Sequence, residues 1–456
     1  MTARDPDHSS GPARWGPGRD PGAAVAVPGQ ALVMAKLPVP ILRDPAFARL
    51  WFIQASTQVG GNMALYALTI LVFTTTRSNA AVSVLVMSFL VPPVVLSAAA
   101  GVLVDRLDVR MALIVPNLVR TVLTLGLALA GANVAALLIL NLGVSLTTVV
   151  LSPAEASMIP RIVPKPQLET AMGIFSMTLQ ASFAVGFALL GPLLVALAGP
   201  SMALVVVTAF YAAATVATLG LPAAPPVAIE RRLARRAIQE PVRQLREGFR
   251  AISGDREVSR PLMHLAAAAS VVGVIGVLGP SLALSLGLDP KHLIVIVLPL
   301  GIGVVGGVAG LRWFGARLSR RQAAETGLIA LGLLAIGISA AGAIGAATGV
   351  PVIPPVVILA FCAGAAYAAT TVSAQTALFE NMPPAIRGRI FGVLASIVSA
   401  TSLIAVLIAG PLADATSAQA VIVVTSVGVI VLAAWSVIAF GPKPRSGRVP
   451  GDRVTG

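Results

Sequence analysis

Apolar runs of membrane-spanning length recur along this chain from about residue 46 to residue 440, separated by short polar breaks. A bilayer core about 30 Å thick is crossed by about 20 helical residues. Backbone surrounded by lipid must satisfy its own hydrogen bonds, so runs of this kind form helices. They are continuous instead of alternating with polar residues, which excludes a β-barrel. Only 11% of the 456 residues are charged and 57% are hydrophobic, whereas a soluble domain carries about a quarter charged residues. The expected fold class is an all-α membrane protein.

The runs predict helices over residues 46–74, 80–104, 111–131, 134–153, 169–198, 201–221, 261–287, 292–311, 323–344, 351–377, 388–411 and 417–440. Twelve crossings place both termini on one side. Of the 32 Lys and Arg, only Arg77 and Lys291 then fall on the other side, with Arg120 inside a helix. Basic loops stay cytoplasmic, so a multi-pass protein of the cell (inner or plasma) membrane with both termini in the cytoplasm is expected. The net charge of +14 is thus accounted for by topology and lipid contact, and nucleic acid is not an expected partner.

The chain divides into five parts. Residues 1–45, rich in Pro, Gly, Arg and Asp, read as a disordered cytoplasmic tail. The tail lacks the apolar core of a cleaved leader, and Met34 is a candidate start. Residues 46–221 and 261–440 each hold six helices, 222–260 form a cytoplasmic linker, and 441–456 a second cytoplasmic tail. The linker interleaves nine arginines with five acids, a pattern suited to an amphipathic helix on an anionic leaflet.

The second half repeats the first. Residues 152–193 align with 371–412 at a constant spacing of 219, matching Pro164 to Pro383 and Gly191-Pro192 to Gly410-Pro411. Earlier in each half, Arg106-Leu107-x-x-Arg110 has its counterpart in Arg317-Leu318-x-x-Arg321. Two pseudo-symmetric six-helix bundles follow, a known transporter design. Gly301, Gly303, Gly306, Gly307 and Gly310 give the eighth helix the small-residue spacing of close helix contacts.

Polar residues at membrane depth are costly and mark either interhelical hydrogen bonds or a polar cavity. The first helix carries Gln54, Ser56, Thr57, Gln58 and Asn62. The fourth carries Asn141, Ser145, Thr148 and Ser152 on one face. Two such stripes suggest a shared aqueous space. Arg120, about nine residues into the third helix, needs a partner that the sequence leaves unassigned. Glu155 is expected at the cytoplasmic end of the fourth helix, level with Arg106 and Arg110. Between the second and third helices, Gly101, Asp105, Arg106, Asp108 and Arg110 crowd a tight turn, where charges can pair with neighbouring helix ends and act as a latch.

Chemistry of other kinds finds no support. Cys362 is the single cysteine, and His8, His264 and His292 stand apart, so no metal site is expected. No lysine-bearing phosphate loop exists for ATP, and no convergent acid–base or nucleophile set for an enzyme. No cofactor is implied.

The stretch Gly101-x-Leu-x-Asp105-Arg106-x-x-x-Arg110 resembles the loop 2–3 signature of the major facilitator superfamily. With Asp108 it resembles the branch of macrolide-efflux and enterobactin-exporter proteins. Ser152-Pro-Ala-Glu155, Ile159-Pro160-x-Ile-Val-Pro164, Ala374-Gln375-Thr376 and Pro384-Ala-Ile-Arg387-Gly388-Arg389-Ile-Phe391-Gly392 are similar to that branch too. The resemblance covers residues 45–440. It implies that Asp105 meets the start of the eleventh helix near Arg387 and Gly388, while Arg106 or Arg110 reaches Glu155. It also implies a central cavity lined by helices 1, 4, 7 and 10, with Gln54, Gln58, Asn62, Asn141, Ser145, Thr148, Tyr367 and Thr370 as candidates. Helices 2, 5, 8 and 11 would form the lateral seams. Two departures stand out: Asn62 where members often carry an acid, and Val195-Ala196 in place of a glycine pair.

The expected activity is secondary transport by alternating access, exporting a small, largely apolar organic compound in exchange for protons, by a monomer. Uptake by the same fold is the near alternative. A membrane-bound sensing protein that recruits a partner through its Arg-rich linker is the alternative of another class.

Overall fold

A computed structural model describes residues 39–104, 106–225, 256–314, 319–380 and 387–439. Six helices make the first bundle. They are α1 (Pro45–Thr76), α2 (Asn79–Val104), α3 (Val109–Leu129), α4 (Val134–Ile162), α5 and α6 (Pro200–Leu219). Helix α5 starts at Leu168–Phe183, widens into a π-helical stretch over Ala184–Leu190 and continues as Gly191–Ala198. The second bundle holds α7 (Arg256–Ser285), α8 (Ile294–Phe314), α9 (Arg320–Thr348), α10 (Ile353–Glu380), α11 (Arg387–Ala415) and α12 (Ala418–Ala439). Twelve helical segments are long and apolar enough to cross a membrane.

Local chemistry sets the ends of these helices. Asp44 caps α1 by accepting from the backbone N–H groups of Ala46 (2.9 Å) and Phe47 (3.0 Å). Asp108 does the same for α3 through Arg110 N (2.8 Å) and Met111 N (3.2 Å). Ser319 begins α9 with a capping box closed by Gln322. Asp108 and Ser319 are separated by the spacing that relates Arg106 to Arg317, so the two halves stop and restart their chains alike. Helix α5 opens into its π turn just before Pro192, where a proline ring would crowd the preceding turn of an α-helix.

Three boundaries differ from the sequence reading. Residues 39–44 belong to the folded part, because Val39–Leu42 forms a helical turn whose Ile41 is buried with Phe47 and Leu50. Helix α7 starts at Arg256, inside the stretch assigned to the linker. Helix α4 runs past Pro153 and Pro160 to Ile162, nine residues beyond its expected end. The rest of the first tail, linker residues 226–255 and residues 440–456 lie outside the described residues.

The core is arranged asymmetrically along the membrane axis. On the face away from the termini, one continuous apolar cluster joins both bundles, from Met63, Leu68, Leu85 and Leu204 to Leu278, Ile296, Val406 and Ile422. Among the described residues, the terminal face holds two further cores, one in each bundle. One holds Phe47, Leu50, Leu113, Met158 and Phe175, and the other holds Leu262, Leu265, Ala324 and Leu378.

Contacts across the halves run between α2 and α11 and between α5 and α8, with α7 also meeting α1 and α2. These are the seams expected from the sequence. At the α2–α11 seam, Asp414 accepts hydrogen bonds from Ser78 Oγ (2.6 Å), Asn79 N (2.8 Å), Asn79 Nδ2 (2.9 Å) and Ala80 N (3.0 Å). The carboxylate of one bundle thus caps a helix of the other, on the face away from the termini. Gly410 lies against Asn79 O and Ser83 Oγ so closely that a Cβ would fall 2.4 and 2.2 Å from them.

Glycine controls one further packing. A Cβ on Gly303 or Gly364 would lie 2.0 Å from Phe361 O or 1.9 Å from Leu300 O, so α8 and α10 cross with backbones in contact.

Candidate functional site

The two polar stripes divide in the structure. On α4, Asn141 Nδ2 donates to Ser88 Oγ at 2.9 Å, and Ser145 Oγ donates to Phe89 O at 2.6 Å. Both side chains therefore tie α4 to α2. On α1, Gln54 Nε2 donates to Phe175 O at 3.3 Å, tying α1 to α5. Thr370 is buried against the α9–α10 crossing, donating to Ala366 O at 3.0 Å near Gly327. Tyr367 packs on the shared apolar core. Of the eight cavity candidates, Gln58, Asn62 and Thr148 line a common cavity.

That cavity occupies about 50 Å³ inside the first bundle. It is bounded by Thr57, Gln58, Gly61 and Asn62 of α1, Phe89 of α2, Arg120 of α3, Thr148, Ser152 and Glu155 of α4, and Tyr211 of α6. Such a space admits water and small ions and is far below the several hundred Å³ of a drug-sized pocket.

Arg120 finds its surroundings here. It is only 5% exposed, and its Nε donates to Thr147 Oγ1 at 3.2 Å while Nη2 donates to Thr148 Oγ1. Its guanidinium carbon lies 5.0 Å from the Tyr211 ring centroid, a cation–π distance.

Glu155 is the acid that shares this cavity with the arginine and interacts with it electrostatically. The extension of α4 to Ile162 explains why: Glu155 lies two helical turns, about 10 Å, before the helix end. It is 5% exposed, and its Oε1 has no hydrogen-bond partner. Thr57 of α1 faces it. The expected pairing of Glu155 with Arg106 or Arg110 is not what the fold brings together. Arg106 is exposed, and Arg110 turns to the end of α6, donating from Nη2 to Leu219 O. A helix C-terminus with free carbonyls attracts cations. Arg49 joins it there through Gly220 O at 2.7 Å, and Arg161 reaches Pro225 O at 2.8 Å.

Of the remaining latch residues, Gly101 lies near the end of α2 with open space about its Cα. Asp105 lies outside the described residues. Arg387 and Gly388 begin α11, but their side-chain surroundings lie outside what is described. Among the described residues, no group of three or more His, Cys, Asp or Glu is disposed to hold a metal ion.

The sequence reading had Thr57 in its polar stripe, but missed Gly61 and Tyr211 as cavity walls and placed Glu155 at the surface. A signal was present: Arg120 and Glu155 are the charges nearest the middle of neighbouring apolar helices. Continuing α4 through its prolines would have brought them together.

Residues 50–352 match the family model described as Major Facilitator Superfamily. The chain belongs to the major facilitator superfamily. Solved structures with the same fold include the nucleoside transporter NupG, with a TM-score of 0.66 and 16% identity over 87% of this chain and 100% of that one. A bacterial homologue of the human lysosomal transporter Spinster, inward-facing and unoccupied, aligns with a TM-score of 0.64 and 17% identity, covering 85% of this chain and 95% of that one. A POT family transporter in complex with 5-aminolevulinic acid aligns with a TM-score of 0.64 and 12% identity over 87% and 96% of the two chains. No curated protein sequence matches the chain significantly. Membership and fold identify this superfamily chain as a multi-pass membrane transporter, and indicate transport instead of enzymatic catalysis.

Proposed function

We propose that this superfamily member is a secondary transporter that exports a small, largely apolar organic compound, a drug or a secondary metabolite, in exchange for protons. The observation that supports alternating access is the shared core: the halves join in one apolar cluster away from the termini, and among the described residues each has a further core of its own on the terminal side. A rocking pair of bundles joined at one end has this arrangement. The one-sided distribution of Lys and Arg supports a cytoplasmic terminal face in the cell membrane. Export and the efflux branch rest on the similarity of residues 101–110, 152–164 and 384–392 to that branch.

In the outward-open state, Asp105 and Arg106 would hold the cytoplasmic ends of the halves together, with Asp105 against the start of α11 at Arg387 and Gly388. Asp105→Asn is then expected to cut transport strongly while leaving membrane insertion intact.

Direction and coupling are tested together in inverted membrane vesicles loaded with acid. Ethidium and a rhodamine dye serve as lipophilic probes in a screen that includes neutral drugs. Accumulation that collapses with the proton gradient supports proton-driven export. Accumulation only in right-side-out vesicles supports uptake instead.

A further inference from the structure

The cavity between α1, α3, α4 and α6 holds two buried charges of opposite sign that do not meet. Arg120 of α3 is held by Thr147 and Thr148 of α4 and by Tyr211 of α6. Glu155 of α4 borders the same cavity, with its Oε1 unpartnered. No described ion pair joins them. An ordinary structural pair of these residue types closes into a short contact, because desolvation of each charge is offset only by good geometry.

The fold does not need charges here. By the repeat spacings that relate Arg106 to Arg317 and Ser152 to Thr371, the second half has Leu331 and Ala374 at the positions of Arg120 and Glu155. Both are buried. The same framework is therefore packed with apolar groups in one half and with a separated charge pair in the other.

We propose that this cavity binds the coupling proton of the transporter, with Glu155 as the carrier and Arg120 as the opposing charge that sets when the proton is held. The step is a simple protonation: a proton from water in the cavity joins a Glu155 carboxylate oxygen and later returns to water, with no other bond changed. Burial and the guanidinium act on the two forms of the carboxyl in opposite directions. A change in what fills the cavity, or in the tilt of α1 against α4, therefore shifts the balance between them. Gln58 and Asn62 of α1 border the same space, so a ligand that touched them would affect the proton, and the proton the ligand, by reciprocal linkage. The lining residues all belong to the first bundle, so the site is carried whole as the halves rock.

This assignment rests on the transporter reading, but its test does not need the substrate. Infrared difference spectra of the purified full-length protein in lipid nanodiscs, recorded across a pH titration, report each carboxyl C=O band. Glu155→Gln is expected to remove one titrating band, and Arg120→Gln to displace its midpoint by about one to three pH units. Glu325→Gln, in the second bundle, is expected to leave that band in place. Should Glu155→Gln fail to fold, Glu155→Asp must move the band. A titrating spectrum unchanged by the Glu155 variants, or a Glu155 band indifferent to Arg120→Gln, overturns the assignment. If Glu155 titrates as expected and no probe is transported in either vesicle orientation, the transporter reading fails and the proton site stands.

Discussion

Each bundle buries a glutamate near an arginine, and the two are built differently. In the second bundle Arg321 and Glu325 sit one turn apart on α9 and close to 2.9 Å. Glu325 also accepts from Ser436 Oγ at 3.4 Å, and Ser436 lies 3.2 Å from His264 Nε2. This chain of contacts ties α9 to α12 and α7. In the first bundle Arg120 and Glu155 come from different helices, line one cavity without closing into an ion pair and leave a carboxylate oxygen unpartnered. The closed pair leaves its glutamate free to fasten its helix to its neighbours through Ser436. A separated pair has room for a third participant, and that distinguishes a working site from a fastening.

The comparison breaks most decisively if the charges of the first bundle prove structural. The double variant Arg120→Leu with Glu155→Ala installs the residues of the second half. Replacing a buried ion pair by apolar groups is often neutral or stabilising, by about 1–4 kcal/mol. Proton-coupled transport should be lost, whereas the melting temperature in detergent should hold or rise. A collapse of folding would show that the pair fastens α3 to α4 after all.

Glu325→Ala is expected to do the reverse. It leaves Arg321 without its partner and should lower stability by about 2–3 kcal/mol, read as a fall in melting temperature, with transport per folded molecule nearly unchanged. Loss of transport at wild-type stability would dissolve the distinction between the two pairs.

A third change tests the seam between the halves. Gly410→Val places side-chain atoms where Ser83 and Asn79 already stand. With Cys362 replaced by Ser and a cysteine installed at Val82, which is fully buried, thiol labelling should increase as the wedge forces α2 from α11. Unchanged labelling would mean that the seam does not open as a unit.

The smallest effect concerns the repeat itself. Asp108→Ala and Ser319→Ala each remove an equivalent helix cap and should cost about 1 kcal/mol apiece. Markedly unequal losses in melting temperature would show that the equivalent caps carry different loads.

Much of the fold was readable before any coordinates. The twelve crossings follow from apolar length, and the α2–α11 and α5–α8 seams were implied by the family resemblance. The candidate site was readable only in part. Gln54, Asn141 and Ser145 have the same chemistry as Gln58, Asn62 and Thr148, and one-dimensional spacing cannot tell a side chain that meets a neighbouring helix from one that meets a cavity. Glu155 was placed at the surface because Pro153 suggests a helix end. Proline in a membrane helix need not end it, since neighbouring groups satisfy the freed carbonyl.

By itself, the amino-acid order determined the class of protein, the number of spans, the internal repeat and the sidedness of charge, because burial of apolar backbone in lipid permits only helices of a set length. The tertiary structure alone decided that Arg120 and Glu155 line one cavity, that Arg110 serves the end of α6, and that the halves share a core at the face away from the termini. Those outcomes depend on helix rotation and tilt, which are set by packing between segments far apart in the chain.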